Sequence, residues 1–259
     1  MVAVKPTLPA PRTILPAGTP EALWHQCATL AQVRTLPFTQ LLQPDQRLVV
    51  VAPHPDDEIL ACGGLLALHS ARGGSTLVVA VTDGEASHPP QPNRSTQQLA
   101  HLRCAESQEG LLRLGVAAGP LQVRRLSLPD SALARHTALL EGALSAWLHP
   151  DDVVVTTWQL DGHPDHEACG SAVARACAVA GCRLLQAPVW MWHWGQPGDV
   201  RVPWADVVRV PLPAAVVARK QHALAAHVSQ LQPARPGEAP ILGQAMASRL
   251  ARQAEYFFI

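Results

Sequence analysis

Continuous apolar runs of strand length alternate with stretches of helical periodicity along most of the chain. The runs are rich in Val and Leu, which is typical of strands buried on both faces of a parallel sheet. The predicted strands are residues 47–52, 75–82, 121–128, 152–157, 183–190 and 206–210. The predicted helices are residues 59–72, 95–114, 131–148, 164–180, 214–228 and 243–258. This alternation predicts βαβ units rather than a β-sandwich or a helical bundle.

The order of these elements predicts an α/β fold, a Rossmann-like three-layer sandwich with a mostly parallel sheet. A length of 259 residues is compatible with one large α/β domain. Prolines at positions 6, 9, 11, 16 and 20 predict that residues 1–20 form an irregular arm. Residues 21–259 are then expected to form a single domain.

The net charge and the cysteine content limit which binding partners and which cellular compartment are expected. The formal net charge is zero and the pI is about 7.2, so no global field attracts nucleic acid or an acidic membrane surface. No run approaches the roughly 18 apolar residues that cross a bilayer, and the first residues lack a signal-peptide core. The 6 cysteines form no CxxC pair, which favours reduced structural thiols. We therefore expect a cytoplasmic protein with no membrane span and no nucleic-acid partner.

Two polar clusters stand where predicted strands end. The first, HPDDE, runs from His54 to Glu58 after the first strand, and the second, DGHPDHE, runs from Asp161 to Glu167 after the fourth. Ligands of open α/β sheets bind beyond the carboxyl ends of the strands. We therefore expect both clusters to share one cleft at that edge of the sheet, which is the predicted active site.

The residue types in the two clusters suit a catalytic metal ion. His54 and Asp57 are three residues apart, and His163 and His166 repeat this spacing. Two imidazoles and a carboxylate with an open position suit a catalytic Zn²⁺, because a structural zinc site uses four protein ligands. A water in the open position becomes a nucleophile at neutral pH. Asp56 is then the candidate general base, and His163 is the candidate for stabilising the oxyanion.

Each cluster alone also has a simpler interpretation. Acidic residues after a strand can complement a helix dipole, and HPDH can form a solvated capping turn. Two histidines and a carboxylate are also the facial triad of Fe(II) oxygenases, although strands here alternate with helices. A non-catalytic sugar- or nucleotide-binding module would carry GxGxxG after the first strand, where this chain has HPDDE followed by CGG inside the next helix. The two clusters together favour a metal site.

The sequence VVVAPHPDDEILACGG (49–64) and the sequence DGHPDHEA (161–168) resemble the two signature motifs of the PIG-L/LmbE-like deacetylases. These proteins are zinc-dependent amide hydrolases that act mostly on N-acetylglucosamine-type substrates. Later blocks of the family are resembled by TDGEAS (82–87), RCAESQEGLLRLG (103–115), LPD (128–130) and KQHALAAHVSQL (220–231). The resemblance spans residues 47–258. It departs at Pro53, where the family usually has Ala, but the fixed φ of proline suits a strand end.

The resemblance implies roles for individual residues. The implied metal ligands, for one Zn²⁺ per chain or another divalent ion such as Fe²⁺, are His54, Asp57 and His166. Asp56 is implied to be the general base. His163 is implied to stabilise the oxyanion and shuttle a proton, with Asp165 as its partner. Arg103 and Asp130 are implied to lie near the sugar, although Arg103 and Glu106 can equally form a surface ion pair.

Aromatic residues crowd one predicted strand end. The segment WMWHWGQPGD (190–199) carries three Trp and one His within five residues, and strand alternation sends the three Trp to one face. Trp192 and His193 are therefore candidate substrate-binding residues, with core packing as the alternative. His227 is a further substrate-side candidate. The proline-containing loop 232–240 is either a flap near the site or an inert connection, and loop statistics favour the inert interpretation.

The activity implied by these residues is a zinc-dependent hydrolysis that removes an N-acyl group, N-acetyl in the simplest case, from an amino sugar or amino-sugar conjugate. The expected partner is therefore a small molecule. An amidase acting on a non-sugar N-acyl conjugate is the alternative enzyme, and a Rossmann-like sugar- or nucleotide-binding module is the alternative of another class. The sequence leaves the native substrate, the native metal and the oligomeric state open.

Overall fold

A computed structural model of the chain describes residues 11–15, 17–92, 94–116 and 120–259. The strands are β1 (Arg34–Thr35), β2 (Leu48–Ala52), β3 (Thr76–Thr82), β4 (Leu121–Leu128), β5 (Val153–Thr157), β6 (Arg183–Ala187), β7 (Val207–Pro211) and β8 (Ala254–Phe258). The helices are α1 (Glu21–His25), α2 (Ala28–Gln32), α3 (Phe38–Leu41), α4 (Asp57–Ala71), α5 (Thr96–Leu114), α6 (Thr137–Trp147), α7 (Pro164–Ala180), α8 (Met191–Trp194), α9 (Ala214–Leu224), α10 (Val228–Leu231) and α11 (Gln244–Arg249).

The eight described strands form one sheet in the order β1-β7-β8-β6-β5-β2-β3-β4. All neighbouring pairs are parallel except those of β8, which runs antiparallel to β6 and β7. At the centre of the sheet, Val50 of β2 is in register with Val78 on one side and Val155 on the other. Every residue of β2 is buried, as the continuous apolar run predicts.

Helices cover both faces of the sheet. On one face, Val50 belongs to the same core as Leu65 of α4 and Leu111 of α5. On the other face, Val51 belongs to a second core with Leu140 of α6 and Val173 of α7. The predicted three-layer α/β sandwich with a mostly parallel sheet is therefore confirmed.

Local signals set the ends of the two helices that flank the site. Ser95 and Gln98 form a reciprocal capping box at the start of α5, and Gly115 ends it in the left-handed conformation with φ 87°. Pro164 occupies the first turn of α7, where its missing N–H is not needed. The observed bounds of α7 and β4 are those that the sequence predicts.

The largest error of the sequence prediction is at residues 243–258, which are not one helix. The segment contains the short helix α11 and then β8, which pairs with β7 from Val207 to Pro211 and with β6 at Gln186. The backbone of β8 fills the gap between β6 and β7, two consecutive strands that do not pair with each other. This demand for hydrogen bonds arises from the sheet, so local periodicity does not reveal it.

Buried carboxylates explain two further differences. The predicted strand 183–190 ends at Ala187, because Asp161 accepts backbone N–H groups from residues 189–191 and turns the chain into α8. The predicted alternation of the Trp residues there is therefore wrong. The predicted helix 131–148 is a 3-10 turn followed by α6, because Asp165 accepts the N–H groups that begin this segment.

The predicted helix 214–228 ends at Leu224, and α10 follows after a short turn. The described residues 11–15 and 17–20 of the predicted arm lie in no helix or strand, while residues 1–10 and 16 lie outside the described part. The division at residue 20 stays a prediction. Within the described part of the chain, no helix combines the length and apolar character needed to span a bilayer.

Candidate active site

A cavity at the carboxyl ends of β2 and β5 brings the two polar clusters together. The first cluster spans the turn after β2 and the start of α4, the second spans the loop after β5 and the start of α7, and the two strands are paired neighbours. The cavity has a volume of about 190 Å³. Seven predicted site residues line it: His54, Asp56, Asp57, Arg103, Asp130, His163 and His166. The cavity that collects the predicted site residues therefore lies at the edge of the sheet that the strand-end argument predicts.

Three donor atoms from the two clusters converge. Oδ2 of Asp57 lies 3.2 Å from Nδ1 of His54 and 3.3 Å from Nε2 of His166. Donors about 2.1 Å from a tetrahedral zinc ion are about 3.4 Å apart, so these separations fit a single ion. His163 offers a further nitrogen, because one ring nitrogen from each of the three histidines lies within 4.8 Å of the other two. The donor set fits a divalent metal ion held by imidazole and carboxylate groups.

The remaining nitrogen of each candidate ligand histidine faces a carboxylate. Nε2 of His54 is 3.3 Å from both Oδ1 of Asp130 and Oδ2 of Asp165. Nδ1 of His166 is 2.8 Å from Oδ2 of Asp161. Carboxylates in this position fix the orientation of a ligand imidazole and make its metal-facing nitrogen more basic. Both rings are therefore held with one nitrogen directed at Asp57.

Asp161 begins the second cluster, but its residue type and spacing predict no role for it. Its side chain is completely buried. Besides His166, its carboxylate accepts the backbone N–H groups of Val189 at 3.0 Å, Trp190 at 2.9 Å and Met191 at 2.9 Å. These partners are far along the sequence, so only the position of Asp161 at a strand end was available as a signal.

Asp56 has the environment of a general base. It is the N-cap of α4 and has φ 147°, a region that is strained for any residue other than glycine. Its Oδ2 accepts a hydrogen bond of 3.0 Å from Nη2 of Arg103. Burial raises the pKa of Asp56 to about 7, although the charge of Arg103 acts in the opposite direction. A pKa in this range suits a base that works near neutral pH.

Arg103 does not form a surface pair with Glu106, because both side chains are buried and have other partners. Nη1 of Arg103 donates to the carbonyl of Gly84 at 3.0 Å, and Nη2 donates to the carbonyl of Pro55 and to Asp56. Gly84 has φ 68°, and a Cβ atom there would collide with the guanidinium group. Arg103 therefore fixes the turn that carries Asp56.

His163 is held as a neutral hydrogen-bond donor. Its Nδ1 accepts the backbone N–H of Asp165 at 3.3 Å, which leaves the proton on Nε2. Burial and the neighbouring His166 lower the pKa of His163 to about 3. The expected pairing with the Asp165 side chain is wrong, because that carboxylate instead contacts His54 and backbone N–H groups. The ring of Trp190 lies nearly parallel to His163, with centroids 6.4 Å apart.

Asp130 lies on the other side of the cavity. Its Oδ2 accepts the backbone N–H of Ala86 at 2.9 Å, and its Oδ1 faces His54. Burial tends to raise its pKa, but the hydrogen bond and charge of His54 outweigh this effect and hold the pKa well below the usual range. Asp130 is therefore an ionised hydrogen-bond acceptor at the cavity wall.

Three predicted substrate-side residues lie outside the cavity lining. Trp192 is buried in an aromatic cluster, where its ring meets Trp24 edge-on at 5.1 Å and Arg252 lies over it at 4.1 Å. His193 contacts the carbonyl of Leu15 through Nε2. Direct contact of either residue with a substrate in this cavity is not compatible with these positions.

His227 is fully buried, and neither of its ring nitrogens has a hydrogen-bond partner within the described residues. It packs against Gly110 of α5, where a Cβ atom would approach its Nε2 to 2.9 Å. His227 is not among the residues that line the cavity.

Residues that the sequence analysis did not assign complete the cavity wall. Trp190, Gln230, Ile241 and Leu242 all line it. The backbone N–H of Leu242 donates to the carbonyl of Gln230 at 2.9 Å, which attaches the end of the 232–240 loop to α10. None of the described residues 232–240 lines the cavity, so the inert interpretation of the loop stays a prediction.

The chain resembles proteins of known class in both sequence and fold. It is 28% identical over 277 residues to a 1D-myo-inositol 2-acetamido-2-deoxy-alpha-D-glucopyranoside deacetylase of Tsukamurella paurometabola, with 83% of this chain and 93% of the relative covered. A deacetylase of the same description from Mycobacterium sp. strain JLS is 36% identical over 171 residues, with 56% of this chain and 54% of the relative covered. The solved structure of a zinc-inhibited form of teicoplanin deacetylase Orf2 has a TM-score of 0.61 at 16% identity, with 82% of this chain and 97% of that chain covered.

Residues 49–177 match the family model PIG-L, described as GlcNAc-PI de-N-acetylase. This segment contains both polar clusters and the strands that carry them. The chain belongs to the PIG-L family of amide hydrolases. The resemblance noted from the two motifs is thereby confirmed.

Proposed function

We propose that this chain is a zinc-dependent hydrolase that removes an N-acyl group, N-acetyl in the simplest case, from an amino sugar or an amino-sugar conjugate. The observation that carries the proposal is the approach of Asp57 Oδ2 to His54 Nδ1 at 3.2 Å and to His166 Nε2 at 3.3 Å. The names of the relatives, which are deacetylases of N-acetylated sugar conjugates, support the same reaction.

His54, Asp57 and His166 would hold the metal ion in this proposal, and all three line the cavity. A bound Zn²⁺, or another divalent ion such as Fe²⁺, lowers the pKa of water and polarises an amide carbonyl. Asp56 takes the proton from the attacking water, since its pKa of about 7 makes it half ionised near neutral pH. Arg103 keeps the Asp56 carboxylate in place through the bond at 3.0 Å.

His163 and Asp130 complete the proposed reaction. The Nε2–H of His163 would donate a hydrogen bond to the oxygen that becomes negative when water attacks the carbonyl, and the proton that Asp56 takes from the water would pass to the departing amine with the assistance of His163. Asp130, an ionised acceptor at the cavity wall, accepts a sugar hydroxyl group. The flat ring of Trp190 beside His163 offers a surface on which a sugar ring packs.

The test is a screen of N-acetylated sugars and acyl conjugates, with the zinc-loaded protein and amine release as the readout. We expect release from at least one amino-sugar substrate. Asp56→Asn should reduce the rate by about 10²- to 10⁴-fold, because it removes general-base catalysis. The variant should retain stoichiometric zinc, because Asp56 is not among the proposed ligands.

Two results would contradict the proposal. Full activity of Asp56→Asn would exclude it as the base. Amine release only from non-sugar amides would favour the alternative amidase, whereas tight sugar binding without any release would favour a binding module.

A further inference from the structure

The regular hydrogen-bond pattern of helix α4 is broken at Cys62, just after the residues of the helix that line the cavity. Cys62 has φ −150° and ψ 26°, which are not helical values. In a regular α-helix the N–H of Gly64 would bond to the carbonyl of Leu60. Instead, Glu255 of β8 accepts the N–H of Gly64 at 2.7 Å and the N–H of Leu65 at 2.8 Å. A distant carboxylate therefore takes the place of the helix's own carbonyl groups.

Lys220 of α9 satisfies the other side of the break. Its Nζ donates to the carbonyl of Leu60 at 3.3 Å and to Oε1 of Glu255 at 2.5 Å. The direct hydrogen bond between the N–H of Gly64 and the carbonyl of Leu60 is thus replaced by three contacts. The N–H of Gly64 donates to Glu255, Glu255 pairs with Lys220, and Lys220 donates to the carbonyl of Leu60. Insertion of a side chain between the N–H and C=O groups of a helix is a recognised cause of a kink.

The two glycines of the CGG sequence give the ion pair its room. A Cβ atom on Gly63 would lie 3.2 Å from Cγ of Lys220, and one on Gly64 would lie 3.1 Å from Cδ of Glu255. Both charged side chains are almost completely buried, with exposed fractions of 5% for Lys220 and 3% for Glu255. This part of the first motif has no role in the proposed chemistry, and the close approach of the pair explains it.

The broken segment is the part of α4 that belongs to the site. Asp57, a proposed metal ligand, is its first residue, and the side chain of Leu60 lines the cavity. The carbonyl of Leu60 is the group that Lys220 holds. Buried ion pairs contribute little net stability compared with apolar residues of similar size, so stability alone is a weak reason for placing one here.

We propose that Lys220 and Glu255 are positioning residues that set the orientation of the segment from Asp56 to Leu60. Without the pair, α4 would continue as a regular helix and rotate this segment away from His54 and His166. The catalytic part of this inference rests on the proposed hydrolase function. The part of the inference that concerns the position of Asp57 predicts the metal affinity of the chain, which is measured without a substrate.

The experiment compares two double variants that each neutralise one ion pair; the pair at α4 is buried and the control pair is partly buried. Lys220→Met/Glu255→Gln removes the pair in α4 without leaving a buried unpaired charge. Arg47→Met/Asp152→Asn is the matched control, because Arg47 and Asp152 form a bidentate pair at 2.9 and 2.6 Å before β2 and β5, at the opposite edge of the sheet. Thermal stability, zinc affinity by competition with a chromophoric chelator, and kcat and KM are measured for both.

We expect the first variant to lose about 10- to 100-fold in zinc affinity and in kcat, because a shift near 1 Å at a reacting group has an effect of this size. The control should lose stability and keep both zinc affinity and kcat. Wild-type zinc affinity in the first variant, or equal losses in the two variants, would overturn the inference. If the wild-type protein binds zinc but releases no amine, the proposed function fails, while the zinc affinities still decide the positioning role.

Discussion

Asp161 connects the proposed ligand His166 to the segment that carries Trp190. Its carboxylate accepts three backbone N–H groups and faces the His166 ring, so all of its acceptor sites point at donors. A charged acceptor that is completely buried and satisfied in this way is a rigid anchor. The orientation of the proposed ligand His166 and the position of one cavity wall therefore depend on the same side chain.

Asp161→Asn should weaken zinc binding by about 10- to 100-fold, because an amide is a poorer partner for the His166 ring than a carboxylate. The measurement is chelator competition at neutral pH. Asp151→Asn, at an exposed position, is the control and should bind zinc like the wild type. An Asp161→Asn protein with unchanged affinity would show that His166 does not depend on this carboxylate.

A role can be proposed from the sequence for a single residue when the residue type alone determines its chemistry. Residue type and spacing indicated a site of two imidazoles and one carboxylate, and the family resemblance implied His54, Asp57 and His166 as its ligands. The pairing of β2 with β5 brings these residues together. Trp192 and His193 were assigned from composition, but their surroundings come from Trp24 and Leu15, which are 168 and 178 residues away. No local pattern contains contacts of this kind.

At the scale of elements, α4 depends on glycines for packing rather than for flexibility. A Cβ atom on Gly64 would lie 2.5 Å from Leu212 and 3.1 Å from Glu255, so Leu212 and the ion pair would have to move. Gly142 also lies inside a helix, α6, but no atom lies within 4 Å of its would-be Cβ position among the described residues. The two glycines therefore have opposite expected responses to the same substitution.

Gly64→Ala should destabilise the protein by about 1 to 3 kcal/mol through overpacking. Gly142→Ala should stabilise it by up to about 1 kcal/mol, because alanine is the better helix former in open space. Urea unfolding of both variants measures the difference. A stable Gly64→Ala protein would mean that the side chains around α4 adjust without strain.

Elements with their own local signals were predictable, and elements that depend on the sheet were not. α7 has Pro164 at its start and Gly181 at its end, and its predicted bounds agree with the structure. β8 has no such signals, and its apolar spacing is equally compatible with a helix. Its strand conformation follows from the unpaired edges of β6 and β7, which only the assembled sheet provides.

At the scale of the whole molecule, the buried His227 makes stability depend on pH. Burial, with a contribution from the charge of Arg103, lowers its pKa to about 3 in the folded chain. In the unfolded chain the pKa is about 6.5. Below about pH 6.5 the unfolded state binds a proton that the folded state does not, so stability falls as the pH decreases.

His227→Leu should remove this contribution. Between about pH 6 and pH 4, the wild type should lose up to about 1.4 kcal/mol per pH unit more than the variant does. Urea unfolding at several pH values measures both slopes, and the difference between them isolates the histidine. Parallel slopes would show that His227 is protonated in the folded protein or has a partner there.

The antiparallel insertion of β8 has a consequence for the newly made chain. Gly64 and its acceptor Glu255 are separated by 191 residues. At about 5 to 20 residues per second, a ribosome needs roughly 10 to 40 s to synthesise that distance. During this interval the first motif exists without the ion pair that we propose to shape it. A nascent chain arrested before β8 should consequently hydrolyse amides far more slowly than the folded protein, and full activity should emerge only after β8 has been synthesised.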